Sequence, residues 1–211
     1  MQIGLDYHYD LSPREKQHEV LIRQLKHAVR LNKPITIHTR EADDDIWRIL
    51  SENLPKEQKL HIHCFTDSPE LADKLLSHFP NCWIGITGMS RTQASGCCLI
   101  SAHASVPISS GVATYSTNLN TAAVIRKLAS ASSERNSEVL RLLLETDSPY
   151  MTPNNLPVKD IGIKNARSLA TCHSGMLPYT AQFIAETAGN GWTTEEVLEA
   201  CRENAQKMYG V

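Results

Sequence analysis

A chain of 211 residues can bury a sizeable core in one domain, but it is short of the roughly 250 residues of a complete eight-stranded (β/α) barrel. Its 41% hydrophobic and 21% charged residues describe an ordinary globular sequence, and a formal charge of −2 excludes strong non-specific nucleic-acid binding driven by counterion release. No apolar run reaches the roughly 18 residues of a membrane span, and no signal-peptide core opens the chain.

Taken in order, the first strand-like run covers residues 3–7. A helix follows, opened by Pro13 at its first position, with Val20, Leu21, Leu25, Ala28, Val29 and Leu31 on one broad face. A second strand at 34–39 precedes a helix at 42–53, with Ile46, Trp47 and Leu50 as its apolar contacts. A third strand at 59–65 leads to a helix at 69–79 carrying Leu71, Leu75 and Leu76, and a fourth strand covers 82–88. Residues 89–117 break this rhythm. They are rich in Ser, Ala, Gly and Thr and nearly uncharged, so they read as an irregular insertion within one domain spanning 1–211. A helix at 119–131, a strand at 139–147 and helices at 178–189 and 194–209 complete the chain, the last capped by Thr193. Short Ile/Leu/Val strands alternating with helices predict an α/β fold with a parallel sheet. At this length it is an incomplete TIM-like (β/α) barrel with about five of its eight strands.

Polar chemistry gathers where those strands end, the place where such barrels build active sites. Glu145 and Asp147 leave the fifth strand on one face. Asp147 is the first candidate for metal binding and for orienting or deprotonating a bound water, with Glu145 deeper behind it. His38 and Arg40 end the second strand together, an imidazole ligand beside a guanidinium suited to phosphate. His61 and His63 end the third, and His63, nearer the rim, is the better ligand. Asp6 either joins the rim or caps the next turn, and Asp43-Asp44-Asp45 read as the solvated start of a helix. Cys64 is a weak nucleophile candidate, and the position of His173 is left open. Mixed imidazole and oxygen donors suit Mg²⁺, Mn²⁺ or Zn²⁺. The six cysteines include no Cys-x-x-Cys pair and favour buried thiols in the cytosol, with the nucleus as the alternative.

At these residues the sequence resembles the TatD family of metal-dependent deoxyribonucleases. The resemblance runs through Ile3-Gly-Leu-Asp-Tyr, the helix from Gln17 to Leu31, Pro34 to Arg40, His63-Cys-Phe-Thr, Ile84-Gly-Ile-Thr-Gly and Leu144-Glu-Thr-Asp-Ser-Pro, and resumes at Asn204. It implies a TIM-like barrel that hydrolyses DNA phosphodiester bonds from an end with two divalent ions. Residue by residue, it implies His38, His63 and Asp147 as metal ligands. Gln2 stands where the family places a bridging Glu, and the family's first-strand His-x-His pair has no match here. The resemblance therefore implies an N-terminally shortened member with open sheet edges prone to self-association. Three functions are expected from it: a DNA-end exonuclease, a catalytically impaired or non-enzymatic form, or an amidohydrolase-like enzyme acting on a small molecule.

Overall fold

The apolar runs pair into one parallel sheet in the computed structural model, which describes residues 2–9, 11–87, 119–131, 133–153, 155–156 and 171–211. The strands are β1 (Gln2–Asp6), β2 (Ile35–Arg40), β3 (Leu60–His63), β4 (Cys82–Thr87) and β5 (Leu142–Glu145), in spatial order β1-β2-β3-β4-β5. Helices α1 (Arg14–Arg30), α2 (Asp43–Asn53), α3 (Pro69–His78) and α4 (Leu119–Ser130) lie between successive strands, and α5 (Leu177–Ala188) and α6 (Thr194–Tyr209) follow. This alternating topology with five parallel strands is an incomplete TIM-like barrel. The expected insertion at 89–117 lies outside the described residues. No described helix is long and apolar enough to cross a membrane.

Strand alternation sorts the sheet into two chemically different faces. Ile3, Leu5, Ile35, Ile37, Leu60, Ile62, Ile84, Ile86 and Leu142 are buried against the helices, meeting Leu21, Leu25, Ile49, Leu50, Leu75, Ile125, Ile184 and Val197. Each such Leu or Ile contributes roughly 1.5–3 kcal/mol by burial, so this face holds the fold together. The other face carries Thr36, His38, His61, His63, Trp83, Gly85, Thr87, Leu143 and Glu145. Its lower part is covered by the end of α6, where Met208 and Ala205 pack on Trp83 and Leu143. Helix ends are set by local chemistry. Ser68 accepts the Leu71 N–H at the start of α3 with Pro69 behind it, while Thr193 and Glu196 form a capping box on α6.

Three expectations are corrected. Pro13 is the N-cap of α1 rather than its first helical residue, and its carbonyl accepts the Lys16 and Gln17 N–H groups. Val20 and Leu31 do not join the buried face of α1, being 52% and 54% exposed. Each helical residue turns about 100°, which takes Val20 off the stripe of Leu21 and Leu25, and Leu31 follows the last helical turn. The fifth strand is four residues, not the nine of 139–147. Asn136 Oδ1 accepts the N–H groups of Glu138 and Val139 in a turn just before it.

Candidate functional site

The register of β2 against β3 sets His38 directly beside His63, and their ring centroids are 6.5 Å apart. Glu145 is the last residue of β5 and faces Thr87 in register. Asp147 lies two residues beyond, past the ladder, yet both carboxylates reach the same imidazole. His63 Nδ1 stands 2.7 Å from Glu145 Oε2, and His63 Nε2 stands 3.0 Å from Asp147 Oδ1. Burial alone would lower the His63 pKa, but the bonds to Asp147 and Glu145 override it and push it up to about 10. His63 is therefore an imidazolium at neutral pH, held between two carboxylates.

Glu145 is the hub of this cluster. Its Oε1 accepts the Thr87 hydroxyl at 2.9 Å and the backbone N–H of Cys64. His61 Nε2 lies 3.0 Å from Oε2 but off the hydrogen-bonding direction, so the contact is electrostatic rather than a formed hydrogen bond. Burial would raise the Glu145 pKa; the close approach of His61 and the hydrogen bond and charge of His63 reverse that and hold it below the usual carboxylate range. The Cys64 thiol is pushed up to about 12, by burial first and by the Glu145 charge next, which keeps it protonated and removes it as a nucleophile. Gly85 makes room for the hub, because a Cβ there would collide with His61 Nε2 and Glu145 Oε1. Gly85→Ala is expected to cost about 1–3 kcal/mol in urea denaturation through this overpacking. Unchanged stability would mean that the cluster is looser than its geometry.

The remaining sequence candidates divide. Asp6 does both of its proposed jobs: Oδ1 accepts the His8 and Tyr9 N–H groups at 2.9 and 3.2 Å, and Oδ2 meets His38 Nε2 at 3.2 Å. His61 sits deeper, with Nδ1 2.6 Å from the Tyr209 hydroxyl at the end of α6. Arg40 lies over the Tyr9 ring, 5.1 Å from its centroid. Gln2 opens β1 and is exposed. His173 is exposed before α5, outside the cluster. The acidic run at 43–45 is more than a solvated helix start, since Asp43 accepts the Ser68 N–H and hydroxyl and Asp45 accepts the Tyr7 hydroxyl. Sequence reasoning missed Thr87, Tyr9 and Tyr209. Thr87 was detectable as the residue two beyond Gly85 on the same face; Tyr209 had no local signal.

His38, His63 and Asp147 have the right donor chemistry for a divalent ion, but their arrangement does not fit a two-ion centre. Both nitrogens of His63 are taken by carboxylates and Nε2 of His38 is taken by Asp6. Among the described residues no group of three or more His, Cys, Asp or Glu is placed to hold a metal ion. What the cluster can do as it stands is fix an imidazolium and present Arg40 at the sheet's C-terminal edge.

The sequence model of the family described as TatD related DNase matches residues 2–210. The chain is 31% identical over 212 residues to the human 3′-5′ RNA nuclease TATDN2, covering 100% of this chain and 22% of that protein. It is 26% identical to the 3′-5′ ssDNA/RNA exonuclease TatD of Escherichia coli, covering 100% of this chain and 65% of that one. Among solved structures it is similar to the YJJV TatD homologue of E. coli, with a TM-score of 0.66 at 24% identity over 99% of this chain and 62% of that chain. An uncharacterized amidohydrolase from Saccharomyces cerevisiae matches with a TM-score of 0.63 at 19% identity, over 98% of this chain and 63% of that one. Both structural likenesses bear on the fold alone. The chain spans less than two thirds of the length of each of these relatives.

Proposed function

Because the chain belongs to the TatD-related DNase family, we propose that its barrel mouth takes the ends of DNA or single-stranded nucleic acid, and that these residues alone are impaired in metal-dependent phosphodiester hydrolysis. Family membership carries the hydrolase and nuclease class. The impairment rests on one observation: His63 is bound at both nitrogens by Glu145 and Asp147, so an ion coordinated by His63 would have to displace a proton from an imidazole whose charged form both carboxylates stabilise. Gln2 adds to this, since a neutral amide is a poor bridge between two cations.

The second reading is a competent metal-dependent exonuclease using Mg²⁺, Mn²⁺ or Zn²⁺, with Asp147 and Glu145 as its catalytic carboxylates. It is favoured by what the human and E. coli relatives are named for. An amidohydrolase-like activity has weaker support, because only a fold-level likeness speaks for it.

One experiment separates the first two. Metal analysis after dialysis is expected to return at most one ion per chain, and hydrolysis of an end-labelled single strand with Mg²⁺ or Mn²⁺ is expected to be weak. Two tightly held ions with robust metal-dependent cleavage would overturn the impairment and favour the second reading. Among the described residues β1 and β5 each pair with one neighbour, and open parallel edges favour association. Light scattering on the purified chain is accordingly expected to show species larger than a monomer.

A further inference from the structure

Tyr9 stands out beside the cluster because nothing in the core needs it. It is 59% exposed, which leaves the ring open to a ligand. Its position is nevertheless fixed. Its backbone N–H donates to Asp6 Oδ1 at 3.2 Å, and that same carboxylate meets His38 through its other oxygen. The His8 ring packs edge-on to Tyr9 with centroids 4.9 Å apart, and His8 is itself held 2.7 Å from Glu41. The Arg40 guanidinium covers one side of the ring at 5.1 Å from its centroid.

Resting on the nucleic-acid reading above, we infer that Tyr9 and Arg40 form a clamp for the last nucleotide of a single strand, with the base stacked on Tyr9 and the adjoining phosphate on Arg40. Every base has a π-face, so an exposed, anchored tyrosine accepts any of them. A guanidinium suits phosphate because its donors lie in a fixed plane. Arg40 offers an approaching phosphate a guanidinium, whereas Asp6 and Asp147 oppose it and His63 is already engaged. Stacking on Tyr9 adds binding that those carboxylates do not oppose. That selects for an unpaired terminal base, because a base paired within a duplex has no free face to offer.

The test uses fluorescence anisotropy in chelator, so that neither metal nor hydrolysis enters the readout. The probes are a short labelled oligothymidylate and a blunt duplex, with unlabelled thymidine monophosphate as competitor. The single strand is expected to bind more tightly than the duplex. Tyr9→Ala should weaken single-strand binding about tenfold, within the range for losing one stacked base, while Tyr9→Phe keeps it. Arg40→Ala should weaken binding and lower the salt slope by about one phosphate contact. Thermal melting of Tyr9→Ala should match the parent, since the ring is exposed. Equal single-strand affinity in Tyr9→Ala overturns the clamp but leaves the nucleic-acid reading intact. Monophosphate binding as tight as the oligomer would overturn the strand-end assignment in favour of a free-nucleotide site. No binding by the parent chain to any probe would overturn the nucleic-acid reading together with the clamp.

Discussion

Glu145→Ala is expected to destabilise the chain by about 3–5 kcal/mol, the scale of removing one partner from a buried, hydrogen-bonded ion pair. The side chain is only 11% exposed. Its loss leaves His63 Nδ1, the Cys64 N–H and the Thr87 hydroxyl without their acceptor, with Asp147 alone still facing the imidazolium. Unpaired buried donors cost about 1–3 kcal/mol each, but they share one cavity and do not add. Glu145→Gln keeps the shape and should cost less. The pH dependence follows from His63, whose pKa is raised from 6.5 to about 10 in the folded chain. A raised folded pKa gives stability that is complete below the unfolded value of 6.5 and is lost as pH rises through about 10. The gap between parent and Glu145→Ala should therefore be wide near pH 6 and narrow above about pH 10. Urea denaturation at the two pH values measures it, and a gap independent of pH would mean that Glu145 acts by packing alone.

Most of the fold was legible because its signals are local. Ile3 and Leu5, Ile35 and Ile37, and Ile84 and Ile86 repeat at the strand period, and every one of them is buried against the helices. Thr193 with Glu196 announces α6 three residues apart and forms its capping box. The overlong fifth strand has a local cause too. Val139 and Leu140 look like strand because they are apolar, but the Asn136 side chain has already claimed the Val139 N–H in a turn. Composition cannot see that competition between a side chain and the sheet ladder.

The site was half legible for the same reason. His38, His63, Glu145 and Asp147 were found because each stands near or just past a strand end; register sets His38 beside His63, and Glu145 reaches His63 across β4. Their hydrogen bonding was not legible. A sequence that offers two imidazoles and two carboxylates reads as a ligand set, and it says nothing of which nitrogen faces which oxygen. In the folded chain those groups satisfy one another. Tyr209 reaches His61 across 148 residues of sequence, a distance at which no spacing rule operates. Thr87 was within reach of the strand period, two residues beyond Gly85, but the bond of its hydroxyl to Glu145 on the next strand was not.

Asp67 carries the other large expected effect, of opposite sign. It lies between β3 and α3, is 9% exposed, and its Oδ2 has no hydrogen-bond partner among the described residues. Burial first, and then the charge of Asp43, raise its pKa from 3.8 to about 7. Asp43 is held nearby by the Ser68 N–H and hydroxyl, so it does not move away when Asp67 ionises. A carboxyl with a raised folded pKa is protonated in the folded chain at pH values where the unfolded chain has already lost its proton. Stability therefore falls as pH climbs from about 4 to about 7, and the full cost applies above that. One pKa unit corresponds to 1.36 kcal/mol, which gives an upper bound of roughly 4 kcal/mol; water entry and relaxation bring the expectation to about 2–3 kcal/mol. Asp67→Asn removes the charge at nearly constant volume. It should stabilise the chain by that amount at pH 8 and change little at pH 4, where Asp67 is neutral in the folded state and only partly ionised in the unfolded one. Equal gains at both pH values would show that Asp67 is destabilising for steric rather than electrostatic reasons. A loss of stability at pH 8 would show that the ionised carboxylate makes a favourable contact there.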